Sequence, residues 1–97
     1  MMTHVRHAAV AGMFYPGSPR ELDTMVRQML SEAAPESPKG PVPKAIIAPH
    51  AGYVYSGPIA ATAYKLLADR RRDWHRVVLL GPSHFVPLGG IAVPSGP

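Results

Sequence analysis

The sequence predicts an α/β fold, a parallel (mixed) sheet with flanking helices, organised around a βαβ unit. Ala45-Ile46-Ile47-Ala48 and Val77-Val78-Leu79-Leu80 are short apolar runs without alternation, as in parallel strands covered on both faces. Each run stops at a proline-marked break and is followed by a histidine, as P-H at 49–50 and G-P-S-H at 81–84. Between them lies a segment with helical apolar spacing. A strand, a helix and a second strand with a crossover of this length form a right-handed parallel unit.

The elements follow in chain order. Val5 to Val10 suits a short strand, and Gly12, Pro16 and Gly17 turn the chain. His4 and His7 stand three apart, which makes a ligand pair only on a helix; near a terminus and without partners they are not read as one. Phe14 and Tyr15 suit core cover, with Phe14 also a candidate pocket wall. The clearest helix begins at Ser18: a serine cap, Pro19 at the first helical position, and Glu21 completing an S-x-x-E capping box. Leu22, Met25, Val26, Met29 and Leu30 then line one face, and Pro35 stops the run. Ala34 to Pro43, with four prolines, is a loop too short to separate two domains.

Lys44 to Ala48 is the first strand of the unit. After it, Ser56 or Gly57 is placed to cap a second helix, with Pro58 starting it and Ile59, Ala60, Ala63, Tyr64, Leu66 and Leu67 on its apolar face. That helix frays near Asp69 to Asp73, and Trp74 is expected at the helix-to-strand corner. Val77 to Leu80 is the second strand. Pro87 to Gly90 makes a turn, and Ile91-Ala92-Val93 opens a third strand.

Composition narrows the function classes. The chain has 97 residues, 46% hydrophobic and 16% charged, which fits one globular domain or part of one. The net charge of +4 has its densest cluster at Arg70-Arg71-Arg72, where a helix C-terminus favours cations. Nothing resembling a recognition helix accompanies it, so no nucleic-acid partner is expected. There are no cysteines, which excludes disulfides and thiolate chemistry within these residues. No signal-peptide core or membrane-length apolar run is present, so the expected setting is cytoplasmic, without a membrane.

Ligands of open parallel sheets gather at the carboxyl ends of the strands. His50 lies two residues past the first expected strand, and His84 four past the second. Neighbouring strands run about 4.8 Å apart. Two imidazoles rising from their ends can therefore share one cation at N–metal distances near ~2.1 Å. The competing account makes each histidine a polar loop residue bonded to nearby backbone. A third ligand is not apparent: Asp69, Asp73 and His75 fall at the opposite sheet edge, and Glu21, Asp23 and Glu32 lie on the first helix. Tyr53, Tyr55, Ser56 and Ser83 stand close to the histidines and read as supporting or substrate-binding groups. Anion binding at the second helix N-terminus ranks lower, because the loop carries no phosphate-binding glycine motif.

Three blocks carry a family resemblance: R-x-x-x-V-A-G-x-F-Y-P at Arg6 to Pro16, A-I-I-A-P-H-A-G-Y-V-Y-S-G at Ala45 to Gly57, and L-G-P-S-H at Leu80 to His84. Together they resemble the Memo family, known in bacteria and archaea as AmmeMemoRadiSam system protein B. The resemblance implies an α/β fold similar to LigB-type class III extradiol dioxygenases, which hold non-haem iron. It further implies that His50 and His84 are metal ligands for iron or copper, with a third ligand from a cysteine far downstream, and that Tyr55 lies at the pocket. Tyr53, Ser83 and Phe14 are the other pocket candidates. The resemblance covers about the first third of a typical member, so residues 1–97 are expected to form a single partial domain, truncated at the C-terminus.

The expected function is that of a Memo-like metal-binding protein with redox or dioxygenase-like chemistry at the histidine pair. The alternatives are a non-catalytic module that binds a peptide or small molecule on the same fold, and an inactive fragment. A sheet of two or three parallel strands leaves apolar faces uncovered, so marginal stability or self-association is expected of these residues alone.

Overall fold

A computed structural model of the chain describes residues 5–34, 40–68 and 71–94. Its frame is a pair of packed helices, α1 (Pro19–Glu32) and α2 (Tyr53–Ala68), followed by a 3-10 turn at Arg71–Asp73. His4, Pro35 with most of the proline-rich loop, Asp69, Arg70 and the last three residues lie outside the described residues.

The first helix forms as its sequence dictates. Ser18 keeps an extended backbone (φ −82°, ψ 127°), and its Oγ accepts from the Glu21 amide at 3.4 Å, which serves one of the four free N–H groups of the first turn. Pro19 costs the helix no hydrogen bond there, because its position needs no donor. The apolar stripe from Leu22 to Leu30 is half-buried.

Before α1, the chain folds into a tight turn bridged between Ala11 and Tyr15. The Gly12 amide donates to the Tyr15 carbonyl at 2.8 Å, with Gly12 at φ +81°, a backbone region that side chains with a Cβ rarely adopt. This turn docks on the start of α2: the Phe14 carbonyl accepts from the Tyr53 amide at 2.8 Å, and the Tyr15 and Tyr53 rings pack with centroids 5.4 Å apart. No strand forms over Val5 to Val10.

The second helix starts earlier than its capping residues suggest. It begins at Tyr53, not at Pro58, so Ser56 and Gly57 are helical residues rather than caps. The Phe14 carbonyl takes the role expected of Ser56, by receiving the first amide of the helix. Ser56 is buried instead, and its hydroxyl donates to the Ala51 carbonyl at 2.8 Å. Pro58 is accommodated inside the helix, in its second turn.

The helix-helix contact uses small residues. Gly57, Ala61 and Lys65 lie four apart on one stripe of α2. A Cβ at Gly57 would come within 2.5 Å of the Met29 sulfur, so the end of the Met29 side chain packs directly over the glycine and would have to shift to admit a methyl group. Ala61 is 5% exposed, and Lys65 reaches the Ala33 carbonyl at 2.7 Å. The expected face of α2 is only partly used: Ile59 and Tyr64 are exposed, while Leu66 and Leu67 are half-buried.

The expected sheet is not shown. Among the described residues there is no strand, and no backbone hydrogen bond joins residues 44–48 to residues 77–80 or to 91–93. Ile47 is 98% exposed and Leu79 86% exposed, the reverse of a strand covered on both faces. The physical reason lies in the requirements of parallel pairing. A parallel sheet needs cover on both faces, and a sheet of very few strands is marginal on its own. These residues supply two helices and no second layer. Trp74 accordingly sits beside the 3-10 turn and not at a helix-to-strand corner.

Candidate functional site

His50 and His84 come together without a ladder to align them. Their Nε2 atoms are 3.1 Å apart, with ring centroids 5.3 Å apart and planes inclined at 44°. This is hydrogen-bond distance, with one neutral ring donating Nε2–H and the other accepting. Both rings face solvent, and among the described residues they hydrogen-bond only to each other. Phe85 lies against His84, centroids 6.3 Å apart, and is itself exposed.

Each histidine is carried on a loop closed by a serine. His50 precedes Ala51-Gly52, and those two carbonyls face the Ser56 hydroxyl at 2.8 and 3.4 Å. Gly52 also receives the Tyr55 and Ser56 amides, at 2.9 and 3.0 Å. On the other loop, Ser83 Oγ donates to the Val86 carbonyl at 2.5 Å and accepts from the Val86 amide at 3.3 Å. His84 lies inside that turn. Both hydroxyls are therefore engaged with backbone.

Among the described residues, no hydrogen bond or ring contact joins Tyr53, Tyr55 or Phe14 to the pair. Tyr53 packs on Tyr15, Phe14 contributes its carbonyl to α2, and Tyr55 is 83% exposed beside Gly52. A shallow concavity lies under the loop from Leu79 to Ala92, lined by residues including Leu80, Ser83, Val86 and Leu88 and by no histidine. Among the described residues, no group of three His, Cys, Asp or Glu side chains is arranged to hold a metal ion. The Phe14 carbonyl, which orders the loop after His50, escaped the sequence reading. A backbone acceptor has no residue-type signature, and only the proximity of the F-Y-P block in the fold reveals it.

Two loops thus juxtapose solvent-facing imidazoles beside a frame of two helices. The family follows from comparison: the Memo-like protein family matches residues 6–96, and the chain belongs to it. It is 42% identical over 104 aligned residues to the MEMO1 family protein of Methanocaldococcus jannaschii, covering 98% of this chain and 36% of that relative. It is 40% identical to the protein memo-1 homolog of Caenorhabditis elegans, with 93% and 24% covered. With the protein MEMO1 of Danio rerio the identity is 46%, covering 91% of this chain and 28% of the relative. The chain thus spans about a third or less of the length of the curated relatives it matches. No solved structure gives a significant match. No helix among the described residues is long and apolar enough to cross a membrane.

Proposed function

We propose that this chain carries two metal ligands of a Memo-like site, His50 and His84, for iron or copper. The observation that supports the reading is the 3.1 Å separation of their Nε2 atoms. Two nitrogens bound side by side to one ion at ~2.1 Å, at roughly tetrahedral to octahedral angles, stand about 3.0–3.4 Å apart. The separation of the pair suits one cation once the ring that donates Nε2–H carries its proton on Nδ1 instead, and imidazole suits both iron and copper. Remaining ligands come from outside the described residues, where Memo relatives have chain that this one does not match. When bound, such an ion supplies redox chemistry and open positions for oxygen or substrate. The protein's own part is to hold two neutral imidazoles side by side, with Phe85 exposed beside His84. With this reading goes a fold proposal: residues 44–48 and 77–80 are strands of a parallel sheet completed within the longer Memo-type domain.

The test is an anaerobic titration of the chain with Fe(II) and with Cu(I), beside the double variant His50→Ala/His84→Ala. Near-stoichiometric binding that disappears in the double variant is expected. Equal binding by both proteins defeats the assignment.

The lack of a three-member donor group among the described residues favours a second reading, a non-catalytic module that holds a peptide or small molecule at the same loops. Its ligand binding survives chelation, whereas a ligand held through the ion is released.

A further inference from the structure

We propose that Ser56 and Ser83 are positioning residues for the histidine pair, setting the two loops so that the imidazoles meet before any ion arrives. Three observations carry this. First, neither ring is oriented by a carboxylate or carbonyl among the described residues; each hydrogen-bonds only to the other. Metal-binding histidines ordinarily have an outer partner that fixes the ring, so in this chain the fixing falls to the backbone of the loops. Second, Ser56 is 7% exposed and anchored in α2, and its hydroxyl donates to the carbonyl of Ala51, the residue after His50. Third, Ser83 is the residue before His84 and bonds both the amide and the carbonyl of Val86, which closes the turn around that histidine. Ser56 is buried, and a buried hydroxyl left without a partner is costly, so its bond to the Ala51 carbonyl ties the His50 loop to α2.

The geometric claim stands independently of metal; its consequence for affinity rests on the metal-ligand reading above. Both can be measured on the 97-residue chain. In the metal-free protein, NMR is expected to give nuclear Overhauser contacts between the His50 and His84 ring protons. Those contacts are lost in Ser56→Ala and in Ser83→Ala, and are kept in Ser83→Thr, which retains the hydroxyl. Helix content by circular dichroism is monitored in parallel. Ser83 lies outside both helices, so the Ser83 pair of variants decides the matter even where Ser56→Ala loosens α2.

Contacts that persist in Ser83→Ala with helix content unchanged overturn the proposal for that loop, and their absence from the wild type overturns it altogether. In the second arm, Cu(I) affinity is expected to fall about tenfold or more in the alanine variants, the scale of lost supporting partners, and to be restored in Ser83→Thr. A wild type that binds no Cu(I) defeats the metal reading, while the ring contacts still decide the positioning one. Alanine variants that lose the contacts and bind Cu(I) as tightly as the wild type overturn the link between positioning and affinity.

Discussion

Lys65 shows how one residue can serve two elements. It lies in the last turn of α2, yet its ammonium reaches the Ala33 carbonyl at 2.7 Å and the Ser31 carbonyl at 3.5 Å, at the end of α1. The final carbonyls of a helix have no intrahelical partner and carry the negative end of its dipole, so a cation there stabilises both. No basic residue of α1 itself occupies its last turn, and Lys65 supplies the missing charge across the interface. Replacing Lys65 by Met keeps an apolar stem and removes the charge. The expected cost is about 1 kcal/mol, concentrated at the C-terminal end of α1. Amide hydrogen exchange should speed up roughly fivefold at Leu30 to Ala33, with the first turn of α1 little changed. Uniform acceleration along α1 would show that Lys65 acts through global stability instead. By contrast, the Arg27–Asp23 ion pair at 2.9 Å is exposed on both sides and contributes little.

At the scale of elements, the α1–α2 contact turns on Gly57 and Met29. Glycine inside a helix costs about 1 kcal/mol relative to alanine. That cost is accepted because a methyl group would meet the Met29 side chain at 2.5–2.7 Å. The two effects can be separated by a double-mutant cycle. Gly57→Ala in the wild-type background is expected to be near neutral or destabilising, since Met29 must move to admit the methyl group. In a Met29→Ala background the same change should stabilise by about 1 kcal/mol, because only the helix-propensity term remains. Equal effects in both backgrounds, read from urea unfolding monitored by circular dichroism, would show that Met29 does not constrain this position.

At the scale of the whole molecule, apolar surface is the dominant feature. The chain exposes 9081 Å², against roughly 5,400 Å² expected for a self-contained protein of its mass. Its radius of gyration is 15.6 Å, above the approximately 13 Å of a compact domain of this size. Val77 to Leu80, Ile91 and Val93, and Val54, Tyr55 and Ile59 on α2, are all exposed. Unpaired backbone with β-branched and leucine side chains is a template for pairing with another chain. The 97-residue chain is therefore expected to self-associate, with a weight-average mass in sedimentation that rises with concentration. Val78→Lys/Leu80→Lys should lower that mass by placing charge on the uncovered segment. A monomer that melts cooperatively at high temperature, independent of concentration, counts against this expectation.

Local chemistry was legible in the sequence. The N-terminus of α1 follows from Ser18, Pro19 and Glu21 because capping depends on residues within one turn of each other. The family is legible for a similar reason: its blocks are contiguous, and the match extends over residues 6–96. The start of α2 was misjudged because its first amide is received by the Phe14 carbonyl, a partner far away in sequence and silent in residue type. Strand propensity at Val77 to Leu80 is plain in the residue types. Whether it becomes a strand depends on partners and covering layers that no local run contains. The sequence by itself thus determined the family, the first helix and which histidines to watch. Only the tertiary structure decided that loops, tied by serine hydroxyls and backbone, bring His50 and His84 to 3.1 Å without a sheet beneath them. The reason is one of range: caps and apolar faces act between neighbours along the chain, whereas the meeting of two residues 34 positions apart is set by everything that packs between them.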